Sequence, residues 1–156
     1  VPHFAVRKEH LLSVSWQEAN LIPSHPVSQK RILCIDDDDA ILSYEKVLLE
    51  RSGYSVVTAA SAQQGLGLVA TRKFDAVLLD YEMPDMNGCD VAFQIKRVRP
   101  ELVVILLSGS EVPIYASALV DAFILKLETS RLLLPTIAEL CSGNGYLKQK
   151  QEGFQP

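Results

Sequence analysis

Five polar residues stand where short apolar runs end: Asp36 and Asp37 after Ile32-Leu33-Cys34-Ile35, Asp80 after Ala76-Val77-Leu78-Leu79, Ser108 after the run ending at Leu107, and Lys126 after Phe123-Ile124-Leu125. Brought to one place, three carboxylates repel one another and raise each other's pKa unless a cation neutralises them. Hard oxygen donors of this kind suit Mg2+. With the metal and the Lys126 ammonium offsetting charge, one carboxylate becomes able to attack phosphorus, and the Ser108 hydroxyl can contact the oxygens of the resulting acyl phosphate. Singly, most of these residues have ordinary explanations. Aspartates before a helix occupy a solvated first turn favoured by the helix dipole, a serine at a strand end satisfies a turn, and Phe123 fills core. Lys126 is harder to dismiss, because an unpaired ammonium at the end of a buried strand is costly and requires a partner carboxylate.

The elements that must position these residues can be read from the apolar pattern. Ile32 to Ile35 is a continuous apolar run of the kind buried on both faces of a parallel sheet. Asp39 is expected to cap a helix carrying Ile41, Tyr44, Leu48 and Leu49 inward, with Gly53 ending it in a left-handed conformation. A second strand is expected over Ser55 to Ala59, then a Ser61/Gln64 capping box and a helix burying Leu66, Val69 and Ala70. The third strand, Ala76 to Leu79, leads through the loop Asp80–Gly88 to a helix with Val91, Ile95 and Val98 inward, stopping before Pro100. A fourth strand covers Val103 to Leu107 and a fifth Ala122 to Leu125. The closing helix spans Leu132 to Leu140, with Pro135 near its first turn or kinking it. Strands alternating with helices predict an α/β fold, a doubly wound five-stranded parallel sheet, (βα)5, with ligands beyond the carboxyl ends of the strands.

The chain of 156 residues suffices for one domain with tails: an N-terminal extension over 1–29, the domain over 30–142 and a C-terminal tail over 143–156. With 48% hydrophobic and 22% charged residues, a packed core is expected. The net charge of −4 and the lack of a Lys/Arg run disfavour direct nucleic-acid binding. No apolar stretch reaches the roughly 18 residues that span a bilayer, so the expectation is a cytoplasmic protein with no membrane contact. Cys34, Cys89 and Cys141 are read as core thiols. His3, His10 and His25 lack metal-ligand spacing, and Trp16 with Leu11, Leu12 and Val14 is a segment able to dock on this domain or on a partner.

Residues 30–142 resemble the response-regulator receiver family, whose members have a flavodoxin-like fold. Arg31-Ile32-Leu33-Cys34-Ile35-Asp36-Asp37-Asp38 looks like its first strand and acidic pair, and Asp80-Tyr81-Glu82-Met83-Pro84-Asp85-Met86-Asn87-Gly88 like its phosphorylation loop. The resemblance implies a phosphoacceptor in a bacterial two-component phosphorelay, a signalling domain and not an enzyme. A histidine kinase or phosphotransfer protein would supply the phosphoryl group, and a downstream protein partner would receive the signal. It implies that Asp80 is the phosphoacceptor, that Mg2+ is held by Asp36, Asp37, Asp80 and the Glu82 carbonyl, that Ser108 and Phe123 are the switch residues, and that Lys126 binds phosphate. Three departures accompany it. Ser108 and Lys126 are closer together than is usual, which predicts a short or missing fourth helix. Leu127 stands where the family usually has Pro, and since a cis bond before Leu costs about 3 kcal/mol, the Lys126-Leu127 bond is expected to be trans. Val120-Asp121 replaces the Gly common before the fifth strand. Two alternatives stand beside this reading: a pseudo-receiver that interacts without phosphate, and a haloacid-dehalogenase-like phosphatase, which shares a strand-end Asp nucleophile with Mg2+.

Overall fold

A computed structural model describes residues 29–142. Expectations for the histidines, Trp16 and the C-terminal tail lie outside the described residues. Five parallel strands, β1 (Arg31–Ile35), β2 (Ser55–Ala59), β3 (Ala76–Asp80), β4 (Val103–Ser108) and β5 (Ala122–Leu125), form one sheet in the order β2-β1-β3-β4-β5. Helices α1 (Asp39–Arg51), α2 (Ala62–Thr71), α3 (Gly88–Val98), α4 (Ile114–Ala118) and α5 (Thr129–Cys141) make the crossovers, with a 3-10 turn at Lys126–Glu128 leading into α5. The strand order reverses between β1 and β3, where β1 crosses to the outer β2 and the chain then returns inward. That is the switch point at which open α/β sheets leave a crevice.

Successive strand residues face opposite sides, and the core divides accordingly. Leu33, Ile35, Val77 and Leu79 pack with Val69, Val91, Ile95 and Ala116, under α2, α3 and α4. Ile32, Cys34, Leu78 and Ile105 pack on the other side with Leu42, Leu49, Leu133 and Ile137, under α1 and α5. Cys34 and Cys89 are buried and Cys141 is half-buried, all as free thiols.

Several local expectations need correction. Asp38, not Asp39, caps α1, its Oδ1 accepting from the N–H groups of Ala40 at 2.8 Å and Ile41 at 3.3 Å. The inward stripe of α1 is Leu42, Glu45 and Leu49, so Ile41 is only half-buried and Tyr44 is exposed. The true stripe passes through a carboxylate, and an apolar count slides past it to its neighbours. In α2, Ala62, Gly65 and Val69 are buried, whereas Ala70 is exposed and Leu66 half-buried. The helix there lies so close to β1 that a Cβ on Gly65 would meet the Ile35 side chain. Val98, the last residue of α3, is 65% exposed rather than inward. Helix α5 starts at Thr129, which puts Pro135 inside it rather than in its first turn.

Other local features agree with the sequence. Gly53 has φ +90°, the left-handed conformation it was expected to supply. Ser61 Oγ accepts from the Gln64 N–H at 3.1 Å, and Gln64 Oε1 accepts from the Ala60 N–H at 2.8 Å, one residue before the usual partner of a capping box. No peptide bond among the described residues is cis, so Lys126-Leu127 is trans. The connection from β4 to β5 contains the five-residue α4, with Ile114 and Tyr115 exposed. No helix among the described residues is long and apolar enough to cross a membrane.

Candidate functional site

The site forms where β1, β3, β4 and β5 end. Asp80 and Ser108 are the last ladder residues of their strands, paired in register with Leu107 and Leu125. Lys126 follows β5 directly, and the 3-10 turn there exposes Leu127 to 91% while the lysine points back across the strand ends. Its Nζ lies 2.9 Å from Asp36 Oδ2 and 3.0 Å from Asp80 Oδ1. Asp36 and Asp80 are 2% and 4% exposed, so the ammonium offsets two carboxylates that water barely reaches. Here the partner demanded by a lysine at a buried strand end is in place. Asp36 is further held through Oδ1, which accepts the Asp38 N–H at 2.9 Å.

Asp37 is exposed, yet carboxylate oxygens of Asp36, Asp37 and Asp80 all lie within 4.8 Å of one another. Three hard anionic donors converging with one ammonium leave a net negative cluster, which fits a small divalent cation such as Mg2+. Burial raises the Asp80 pKa above the ordinary aspartate value; the hydrogen bond from Lys126 opposes this, the Asp36 charge reinforces it, and the Glu82 backbone N–H also opposes it. Burial works against the Lys126 ammonium, but its hydrogen bonds to Asp36 and Asp80 outweigh that and raise its pKa.

The loop after Asp80 is fixed at both ends. Gly88 donates to the Tyr81 carbonyl at 2.9 Å, and a Cβ at Gly88 would lie 2.5 Å from the Asp80 carbonyl oxygen and 2.8 Å from Tyr81 Cα. Glycine is therefore required by close backbone approach. Between them, Asp85 Oδ2 accepts from the Gln63 N–H at 3.1 Å, tying the loop to the first turn of α2. Glu82 is exposed, and its side chain is not among the three clustered carboxylates.

Ser108 is fully buried, its Oγ accepting from the Ser110 N–H at 3.2 Å. Phe123 is half-buried and packs against the core layer of α2, α3 and α4. Both flank the connection that carries α4. That connection is pinned by Asp121, at the position where the sequence lacks the usual glycine. Asp121 Oδ2 accepts from the Val104 N–H at 2.8 Å and from Lys96 Nζ at 2.6 Å, and Lys96 also donates to the Leu102 carbonyl at 2.7 Å.

One residue of the site neighbourhood escaped sequence reasoning. Glu45 of α1 is only 2% exposed and lies in the fields of Asp36, Asp80 and Lys126. Its carboxyl is pushed up to about 7, first by burial and then by the Asp36 charge. The available signal was an acidic residue three after Leu42 and four before Leu49, on the apolar stripe of the helix.

Comparison with known proteins matches this architecture. A family model for the response regulator receiver domain covers residues 32–134. The alkaline phosphatase synthesis transcriptional regulatory protein PhoP of Bacillus subtilis is 32% identical over 82 residues, which cover 53% of this chain and 34% of that protein. The two-component response regulator ARR10 of Arabidopsis thaliana is 37% identical over 101 residues, covering 64% of this chain and 18% of that protein. The chain thus spans 34% and 18% of these relatives' lengths. Among solved structures, a CheY-like receiver domain protein from Methanospirillum hungatei superposes with a TM-score of 0.69 at 36% identity, over 74% of this chain and 95% of that one. The response regulator TrrA of Thermotoga maritima, in complex with Mg(2+)-BeF, gives a TM-score of 0.69 at 29% identity, over 72% and 99%. With the fold, the strand order and two thirds of its length accounted for in this way, the chain belongs to the response regulator receiver domain family.

Proposed function

We propose that this domain takes a phosphoryl group onto Asp80 from a histidine kinase or phosphotransfer protein and passes the signal to a protein partner through the connection between β4 and β5. The observation that carries the reading is Lys126 bridging Asp36 and Asp80 across the switch-point crevice, with Asp37 completing a three-carboxylate cluster. Asp36, Asp37, Asp80 and the Glu82 carbonyl would hold Mg2+, which supplies charge neutralisation for the phosphoryl oxygens. Lys126 occupies one Asp80 oxygen and leaves the other to attack. As the new oxygen–phosphorus bond forms, the phosphorus–nitrogen bond to the donor imidazole breaks and the imidazole leaves. Lys126 is then positioned to follow the phosphoryl group, and the Ser108 hydroxyl to donate to it, with Phe123 repacking beside the displaced segment.

The Mg(2+)-BeF complex of the TrrA neighbour supports a cation and phosphate-like group in a pocket of this fold. The pseudo-receiver reading draws on the short α4, which alters the β4–β5 connection, but Asp36, Asp37, Asp80 and Lys126 stand together at the strand ends and argue against it. A haloacid-dehalogenase reading wants an acid two residues after the nucleophile, and that residue, Glu82, is exposed and outside the carboxylate cluster.

The test is intact-mass measurement after incubation with a small phosphodonor, with and without Mg2+. One added phosphoryl group that requires Mg2+ and disappears in Asp80→Asn is expected. Full labelling of Asp80→Asn would place the acceptor elsewhere, and no labelling of the wild-type protein would favour an interaction module.

A further inference from the structure

Glu45 belongs to none of the roles above, yet it is the residue of α1 whose chemistry least suits its place. Its neighbours on the same helix face, Leu42 and Leu49, are core residues, and the surrounding layer holds Ile32, Cys34, Leu78 and Ile105. A buried carboxylate is normally paired with a cation, or gives up its charge. Among the described residues no salt bridge involves Glu45. Cys34, whose thiol is a weak donor, lies in the same layer. Cys34 and Asp36 are two residues apart on β1 and its continuation, so they project to the same side of the sheet, the side covered by α1. The Glu45 carboxyl therefore sits in the layer beneath the acidic pocket, where the charges acting on it are those of Asp36, Asp80 and Lys126.

We propose that Glu45 is a fourth acidic group of the pocket, a positioning residue that ligates nothing and strengthens divalent-cation binding at Asp36, Asp37 and Asp80 through its charge alone. Leu42 and Leu49 exclude water around it, which lets the charge act over a longer distance than it would at the surface. The same charge opposes Lys126 leaving the pocket, so it favours a metal site in which the lysine stays close. The inference rests on the reading of the three aspartates as a Mg2+ site, and the experiment separates the two.

Mg2+ binding to the full chain is measured by calorimetric titration at pH 8, where Glu45 is ionised, for the wild type, Glu45→Gln, Glu45→Leu and Asp37→Asn. Melting curves in EDTA check that each variant folds. The expected result is a loss of affinity of about three- to tenfold in both Glu45 variants, with binding abolished in Asp37→Asn. Gln keeps the shape and a polar end while Leu keeps neither, so an equal loss in both identifies charge as the cause. Wild-type affinity in both variants would overturn the proposal. A loss in only one of them would overturn it too, by assigning Glu45 a packing or hydrogen-bonding role. Wild-type affinity in Asp37→Asn would instead remove the metal site itself, whatever the Glu45 variants do.

Discussion

Two residues in the pocket carry opposite electrostatic burdens, and each gives a measurable consequence. Lys126 is the cation that lets Asp36 and Asp80 stay buried together, so Lys126→Met leaves two carboxylates facing each other. Removing one partner of a buried ion pair typically costs about 3 kcal/mol or more, and denaturant unfolding in EDTA should show a loss of that order, partly recovered by added Mg2+. Unchanged stability in EDTA would mean that the carboxylates are relieved by another route. Glu45 acts the other way. Its folded-state pKa is raised from 4.5 to about 7, so the stability associated with its neutral form is fully present below about 4.5 and is lost as pH rises through about 7. Relative to Glu45→Leu, the wild type should lose on the order of 3 kcal/mol between pH 4.5 and 7.5, and parallel pH curves for the two proteins would contradict this. Asp36, Asp80, Ser108 and Lys126 were legible in the sequence because each ends or directly follows a strand. Glu45 was not, because periodicity treats a charged residue as solvent-facing by default, and only the packing of α1 on β1 reveals otherwise.

At the level of elements, β1, β3, β4 and β5 were readable as apolar runs because the sheet is covered on both faces, while the edge strand β2, with Ser55 and Thr58, is mostly half-buried. Helix faces were less readable. The α1 stripe was displaced by one residue and the start of α5 was late by three, since the 3-10 turn feeding α5 has no apolar period of its own. The loop from Asp80 to Gly88 and the strut at Asp121 show how these elements hold the site in place. Gly88→Ala forces a methyl group against the Asp80 and Tyr81 backbone, and overpacking of this kind costs about 1–3 kcal/mol. Because the displaced atoms belong to Asp80, the proposed phosphoacceptor, labelling should fall further than stability does. A variant that melts several degrees lower yet labels at the wild-type rate would show that the loop adapts without moving Asp80. Asp121→Ala removes acceptors for the Val104 N–H and for Lys96 and should cost about 1 kcal/mol in chemical denaturation, with phosphoryl uptake intact. Loss of uptake would mean that the β4–β5 connection supports the pocket directly.

Across the whole molecule the pocket joins two apolar layers that the sheet keeps apart. Asp36 and Lys126 border the layer under α1 and α5, where Glu45 lies, while Ser108 and Phe123 border the layer under α2, α3 and α4. A phosphoryl group on Asp80 would therefore be felt on both sides, but the sides differ in how firmly they are held. Helix α1 spans thirteen residues with a two-bond aspartate cap, whereas α4 spans five with no side-chain cap. On its N-terminal side, residues 109–113 are reached by the Ser110 N–H bond to Ser108 Oγ at 3.2 Å. Re-aiming that hydroxyl toward phosphate would weaken the bond and bias the Gly109–Leu119 segment toward a second arrangement, which is all that a population switch requires. Amide hydrogen exchange with saturating beryllium fluoride and Mg2+ should thus change protection across residues 108–126 and leave α1 unaltered. In Ser108→Ala the mimic should still bind, with the pocket amides responding and the 108–126 response largely gone. Equal responses in the wild type and Ser108→Ala would remove the hydroxyl from the pathway. A wild-type response confined to the pocket would mean that phosphate binds at Asp80 without moving the segment that this reading assigns to output.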